Sequence, residues 1–145
     1  MHFKIQLVID NDQGEITTED MIHLDRLDGQ GSMVGLSLIE SKQLLKSLQR
    51  KIVLCQSQVF SDAQKYCACC SRKRRIKSYH TIQFRTLFGI VTLPSIRLYH
   101  CACDDALSTT FSPSAQWLPE HNSPELQYIE TKWASLMSYG LTAKL

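Results

Sequence analysis

The sequence lacks the features that would place it in a membrane or in a secreted fraction. Its 145 residues contain no apolar run approaching the roughly 18 residues that a membrane-spanning helix needs, which predicts no membrane contact. The first residues show neither a signal-peptide nor a transit-peptide pattern. We therefore expect a cytoplasmic protein, in which the six cysteines are thiols or metal ligands and not disulfides.

Recognisable catalytic motifs are also missing. The sequence contains no Gly-rich phosphate loop, no Gly-x-Ser-x-Gly elbow and no His-Glu-x-x-His pair. Its acidic residues crowd into 10–28, 104–105 and 120–130, and their spacings fit no two-metal carboxylate site. We interpret His121 as part of a helix-flanking turn. The sequence thus predicts a protein that is not an enzyme, and an enzyme with a cryptic site is the alternative.

Acidic residues are absent from 65–103, and this absence reveals a charge asymmetry. The segment carries eight basic residues and a charge of +8. The remainder has 8 basic and 14 acidic residues and a charge of −6, which gives the net +2 of the whole chain. Charge segregation of this kind predicts an anionic partner for the basic segment.

Glycine and proline are missing from 36–66, where apolar residues recur mostly at three- and four-residue steps. This pattern predicts one long helix at 36–65, with a break near Phe60 as the alternative. Ser37 and Glu40 form a capping-box pattern at its start. Its apolar face requires burial, either in a homodimer through this helix or under the hairpin and the C-terminal helix.

The N-terminal segment 1–28 predicts an acidic β-hairpin. Apolar and polar residues alternate in 3–9 and, less regularly, in 15–24, where a bulge near Asp20 would account for the change of phase. A two-stranded hairpin is marginally stable by itself, so we expect it to pack against another element. Residues 29–35 are typical of a linker.

The predicted fold class is α+β: the N-terminal hairpin, the long helix, a zinc-ribbon-like β-hairpin at 66–103 and a C-terminal helix. Within the ribbon, strand-forming residues fill 79–87 and 90–99. Residues 104–145 predict an irregular segment and then a helix capped by Ser123. The apolar residues expected to form the buried stripe of this last helix are Leu126, Ile129, Trp133, Leu136 and Met137.

Four cysteines fall into two close pairs at the ends of the predicted ribbon hairpin, a layout typical of a zinc ribbon. The predicted ligands of one structural Zn²⁺ are Cys67, Cys70, Cys101 and Cys103. Cys69 could replace Cys70, and His100 or His80 could replace a cysteine. Six unligated thiols are the remaining alternative. Four thiolates would close the coordination shell and leave no position for a catalytic water.

A run of basic residues follows the first cysteine pair and predicts contacts with the DNA backbone. The candidate DNA-binding residues are Arg72, Lys73, Arg74, Arg75, Lys77 and Arg85. Two other roles compete with phosphate binding: the basic residues could neutralise the thiolates, or the acidic hairpin could cover them from within the chain.

The chain resembles the N-terminal part of bacterial insertion-sequence transposases of the ISKra type, over essentially its whole length. The resemblance is carried by GLSLIESKQLLK (35–46), the Cys67-x2-Cys70 pair, YHTIQFRTLFG (79–89) and WLPEHNSPEL (117–126). Ala68 and Cys69 depart from the usual knuckle loop, where a proline is expected at the first of these positions. The resemblance implies a zinc-ribbon-like region that binds transposon DNA or supports assembly in the bacterial cytoplasm. It also implies that the chain is truncated, because the helix-turn-helix segments and the RNase-H-like catalytic domain of such proteins follow this region.

Overall fold

The structure is a computed structural model that describes residues 1–10, 14–26, 34–104, 106 and 108–136. Its contacts divide the chain into two compact units, Met1–Ile52 and Val53–Leu145. The boundary between the two units lies inside the long helix. The sequence analysis instead placed a segment boundary at the C-terminal end of that helix, between 65 and 66. The expected linker lies largely outside the described residues, because 29–33 are among those not described, and so does the chain end.

The first unit begins with the predicted hairpin. Strands β1 (His2–Asp10) and β2 (Ile16–Asp25) pair antiparallel. The register shifts between Ile5 and Gln6, which leaves Met21 as an extra residue next to the position where the sequence indicated a bulge.

Helix α1 (Leu38–Gln64) follows as one uninterrupted helix, so the alternative of a break near Phe60 is wrong. Its start has the predicted capping box: the Glu40 N–H donates to Ser37 Oγ at 3.2 Å, and Glu40 Oε2 accepts from the Ser37 N–H at 2.8 Å. Arg26, just after β2, donates to the same carboxylate at 2.8 Å. This network fixes the start of the helix to the end of the hairpin within the first unit.

The second unit contains a three-stranded antiparallel sheet in the order β3 (Ile76–Thr86), β4 (Gly89–Tyr99) and β5 (Thr110–Phe111). The β3–β4 hairpin confirms the two predicted ribbon strands, although β3 begins three residues earlier than expected. The core of this unit is formed by side chains from the end of α1 and one face of the hairpin: Val53, Phe84, Val91 and Leu93, with Leu54, Ile82 and Leu118 against them.

Two helices complete the second unit: α2 (Pro113–Trp117) and α3 (Pro124–Leu136). Ser123 caps α3 as predicted, because the Leu126 N–H donates to Ser123 Oγ at 3.3 Å. The expected buried stripe of α3 is wrong: no side chain is buried on its described residues, Leu126 and Ile129 are half-buried, and Leu136 is 68% exposed. Met137 lies outside the described residues. No helix in the described part of the chain is long and apolar enough to cross a membrane.

Part of the segment expected to be irregular is ordered. It contains β5 and α2, which the sequence analysis missed. β5 spans only two residues, opposite Leu98 and Tyr99, and is held by pairing with β4 and not by any periodic pattern of its own. Pro113 begins α2, where the absence of a backbone N–H is tolerated.

Candidate metal centre

The two cysteine pairs lie together at one end of the β3–β4 hairpin. They form the cysteine cluster, whose four Sγ atoms all lie within 4.8 Å of one another: Cys67, Cys70, Cys101 and Cys103. Cys70 Sγ lies 3.5 Å from Cys101 Sγ, which in turn lies 3.8 Å from Cys103 Sγ. A zinc–sulfur distance of about 2.3 Å in a tetrahedron places sulfur atoms about 3.8 Å apart. The four thiols therefore fit one ion of this size and could hold a metal such as zinc.

A tight turn between α1 and β3 positions the first pair. The Ser71 N–H donates to the Cys67 carbonyl at 2.8 Å, and the Cys67 N–H donates to the Arg72 carbonyl at 2.9 Å. An antiparallel bridge between Tyr66 and Lys73 closes the turn. Ser71 has a φ of 56°, a left-handed conformation that costs a side-chain-bearing residue about 1–2 kcal/mol. The turn thus holds both cysteines on one side, at some cost in backbone strain.

Asp104 organises the second pair. Its Oδ2 accepts from the Cys101 N–H at 2.9 Å, while its own N–H donates to the Cys101 carbonyl, also at 2.9 Å. Oδ2 also lies 3.2 Å from His100 Nδ1. The N–H of Cys101, and then Arg74 and His100, hold the pKa of Asp104 below its usual value of 3.8. An ionised Asp104 thus closes the loop that carries Cys101 and Cys103.

Arg74 joins the two turns to each other. Its Nη2 donates to the two Asp104 carboxylate oxygens at 3.2 and 3.0 Å. Its Nη1 donates to the carbonyls of Gln64 and Tyr66 at 3.1 and 2.8 Å. The guanidinium also lies over the Phe111 ring, 5.2 Å from its centroid, and the side chain is only 9% exposed. One cation therefore fixes the end of α1, the first turn, the second turn and β5 around the cysteine cluster.

The thiols influence one another's ionisation. The Cys103 N–H, and then the Cys70 thiol, lower the pKa of Cys101 to about 7. The thiols of Cys70 and Cys101 raise the pKa of Cys103 above its usual value of 9.0. One thiolate thus forms readily while its neighbour retains a proton. A divalent cation would displace the remaining protons, because thiolates are the form that binds metal.

The alternative ligands lie outside the cysteine cluster. Cys69 is exposed, and Cys55 is half-buried on α1. The His100 ring packs against Phe111 at 4.7 Å between centroids, and its Nε2 lies 3.4 Å from Ser108 Oγ. His80 is exposed on β3, opposite Ser95. His100 thus supports the second turn through Asp104.

The candidate DNA-binding residues do not form one surface. Four of them are exposed at or just after the first turn and form the basic patch: Arg72, Lys73, Arg75 and Lys77. The Arg75 guanidinium lies 5.1 Å from the centroid of the Tyr99 ring. Arg74 is instead the internal cation described above. The structure thus leaves four of the candidate residues exposed, whereas Arg74 pairs with Asp104, which belongs neither to the thiolates nor to the acidic hairpin considered in the sequence analysis.

Arg85 lies apart from the basic patch. It is eight residues beyond Lys77 along β3, which corresponds to about 25 Å of strand. Its backbone pairs with the turn before α3, through the His121 carbonyl at 2.8 Å, and its Nη2 lies 3.6 Å from Glu130. The predicted set therefore separates into four exposed residues at the first turn, one half-buried residue that links the two turns, and one distant residue.

Sequence reasoning missed Asp104 and the structural role of Arg74. One signal was present: Asp104 is the first acidic residue after 65–103 and directly follows the second cysteine pair.

Comparisons with protein-family models, with curated proteins and with solved structures returned no match to this chain. The supported description of the site is therefore a four-cysteine cluster, in an α+β protein, that could hold a metal such as zinc.

Proposed function

We propose that this chain is a zinc-stabilised DNA-binding module, in which one Zn²⁺ held by the cysteine cluster shapes a turn that presents the basic patch to DNA phosphates. The observation that carries the proposal is charge segregation: eight basic residues and no acidic residue lie in 65–103, and four of the basic side chains are exposed together beside the cluster. Backbone phosphates are the polyanion that such a patch binds.

The charge of the bound metal does not cancel the patch. Zinc adds two positive charges and four thiolates add four negative ones, which leaves the segment at about +6. Asp104, in the second turn, neutralises Arg74. The four patch residues therefore retain a positive field at the surface, which attracts an anionic partner over a distance set by the ionic strength.

The ion itself would have a structural role. Four protein thiolates satisfy a tetrahedral ion, so no position remains for water or substrate. Because a small ribbon has little core, metal binding supplies much of its folding free energy, and values of roughly 10–16 kcal/mol are typical of such sites. The DNA contacts would therefore depend on zinc through the shape of the turn.

The resemblance to insertion-sequence transposases of the ISKra type supports transposon DNA as the ligand. Under this proposal the chain corresponds to the recognition or assembly region of such a protein in the bacterial cytoplasm. The chain alone would then bind DNA without cutting or joining it, and a nuclease assay with Mg²⁺ tests that expectation.

A salt titration tests DNA binding directly. Fluorescence anisotropy with a duplex oligonucleotide should show affinity falling about 100-fold between about 50 and 200 mM salt, as expected for four phosphate contacts. Replacing Arg72, Lys73, Arg75 and Lys77 with Ala should abolish most of this salt dependence while zinc content stays unchanged. Absence of binding at low salt would refute the proposal.

A matched control variant distinguishes DNA binding through the basic patch from attraction by the net charge of the chain. Four exposed basic residues outside the ribbon serve this purpose: Lys42, Lys46, Arg50 and Lys132. Their replacement with Ala removes the same total charge, and we expect it to change affinity far less than the patch variant does. Equal losses from the two variants would show that only net charge matters, and zinc loss from the patch variant would mean that these residues stabilise the cluster.

A further inference from the structure

Helix α1 displays an exposed apolar residue at every seventh position. These residues form the heptad stripe: Leu38, Leu45, Ile52 and Val59, with exposed fractions of 70%, 41%, 41% and 71%. All four belong to one uninterrupted helix. From Leu38 to Val59 the stripe spans 21 residue steps, or about 32 Å of helix. Four large apolar side chains along one line of a helix are more than the scattered exposure that is normal on a protein surface.

A seven-residue repeat matches another helix better than any other partner. Side chains seven apart drift by only about 20° per heptad on a straight helix, and a slight supercoil around a second helix keeps them in line. Such a seam has a second apolar position three residues after the first. Leu48 and Cys55 occupy that second position after Leu45 and Ile52, and both are half-buried. The central part of α1 therefore has both halves of a coiled-coil seam.

Val59, the stripe member that belongs to the second unit, also lines a groove within that unit. The groove has a volume of about 510 Å³ and is lined mostly by apolar side chains, among them Cys55, Val59, Ala63 and Trp117. Trp117 stacks on Phe60 with a centroid distance of 5.5 Å and forms one wall of the groove. Three residues beyond Val59, the last stripe member, Asp62 is polar, and its carboxylate accepts from Gln58 and Lys65.

We infer that α1 pairs through the heptad stripe with α1 of a second copy of this chain. A twofold axis brings identical stripes together, so each copy supplies the apolar surface that the other needs. The residues four positions after the first three stripe members are Lys42, Gln49 and Gln56. On the other flank, six positions after the same members, lie Leu44, Lys51 and Gln58. Each flank therefore carries one lysine, which is too few to form a cluster of like charges at the seam.

This pairing goes beyond the proposed function and does not depend on DNA. It uses a different surface from the basic patch and requires no metal chemistry. If both proposals hold, the dimer carries two basic patches, and linked contacts of this kind raise apparent affinity for a DNA long enough to span them.

Two adjacent residues give a matched test. Leu38 and Ile39 are 70% and 69% exposed and occupy the same turn, but only Leu38 lies on the stripe. Leu38→Lys and Val59→Lys should weaken self-association about 100-fold or more, because each dimer loses two apolar contacts and gains two charges at the seam. Ile39→Lys should leave self-association unchanged.

The measurement is sedimentation equilibrium of the full, zinc-loaded chain at about 1 to 100 μM, since the dimer population depends on concentration. The wild type and Ile39→Lys should show a dimer of twice the 16.6 kDa chain mass, and the stripe variants a monomer. The α1 signal in circular dichroism checks folding of each variant, and the high exposure of both stripe positions leaves the single chain undisturbed. A monomeric wild type, dimeric stripe variants, or equal dissociation by Ile39→Lys would each overturn the inference.

Discussion

Arg74→Ala tests whether the cation between the two cysteine turns is structural. The substitution removes a side chain that is 9% exposed and donates to the Gln64 and Tyr66 carbonyls at 3.1 and 2.8 Å. Hydrogen bonds that involve a charged group contribute about 1.5–3 kcal/mol each. Two such bonds at the low end of that range give a loss of about 3 kcal/mol, with nothing counted for Asp104 or for packing on Phe111.

The expected consequence is large enough for simple assays. For a unit of this size, a loss of about 3 kcal/mol lowers Tm by roughly 12–24 °C. Zinc affinity should fall as well, because the two turns are no longer held together. Arg74→Lys should be nearly as destabilising, since an ammonium offers its donors from one nitrogen and cannot replace a fork whose Nη1 reaches two carbonyls while Nη2 reaches the carboxylate.

Lys73→Ala provides the control, because Lys73 is the exposed neighbour in the same run. It should shift stability by less than about 0.5 kcal/mol and instead weaken DNA binding. The reasoning would be refuted if Arg74→Ala kept its Tm and zinc but lost DNA affinity. That result would make Arg74 a phosphate contact and not the internal link.

Three further expectations concern other parts of the chain. Leu93→Ala should cost about 2–5 kcal/mol in thermal denaturation, because Leu93 is fully buried, whereas Ile90→Ala on the exposed face should change little. Ser71→Gly should raise stability by up to about 1 kcal/mol by relieving the left-handed strain; a decrease would contradict that explanation. The Ser37 N–H is the main cause that lowers the pKa of Glu40 from its usual 4.5. The contribution of ionised Glu40 to stability is therefore present above about pH 4.5 and is lost as the pH falls through the lowered pKa. The Tm difference between the wild type and Glu40→Gln should shrink over that range.

Features encoded by neighbouring residues were predicted well. The capping box of Ser37 and Glu40 has the expected hydrogen bonds, because both partners lie within one helical turn. The Ser123 cap and the two ribbon strands follow for the same reason: residue type and local spacing decide them. The α+β fold class is therefore accessible from the sequence alone.

Features set by long-range contacts could not be predicted in this way. Arg74 lies in a run of four basic residues, and only its position between the two turns distinguishes it from Arg72, Lys73 and Arg75. β5 was missed because a two-residue strand has no detectable period. The burial of the α3 stripe was overestimated, because helical spacing of apolar residues does not reveal whether another element covers them. Trp133, a member of that stripe, is 45% exposed.

Metal analysis with variants tests the central claim most directly. Elemental analysis of freshly purified protein should find about one zinc per chain, and X-ray absorption should show four sulfur ligands at about 2.3 Å. Cys70→Ser and Cys101→Ser should each remove most of the zinc, whereas Cys55→Ser, on α1 outside the cluster, should retain it. Less than about half an equivalent of zinc in the fresh wild type, or full zinc in the cluster variants, would contradict a four-thiolate metal centre.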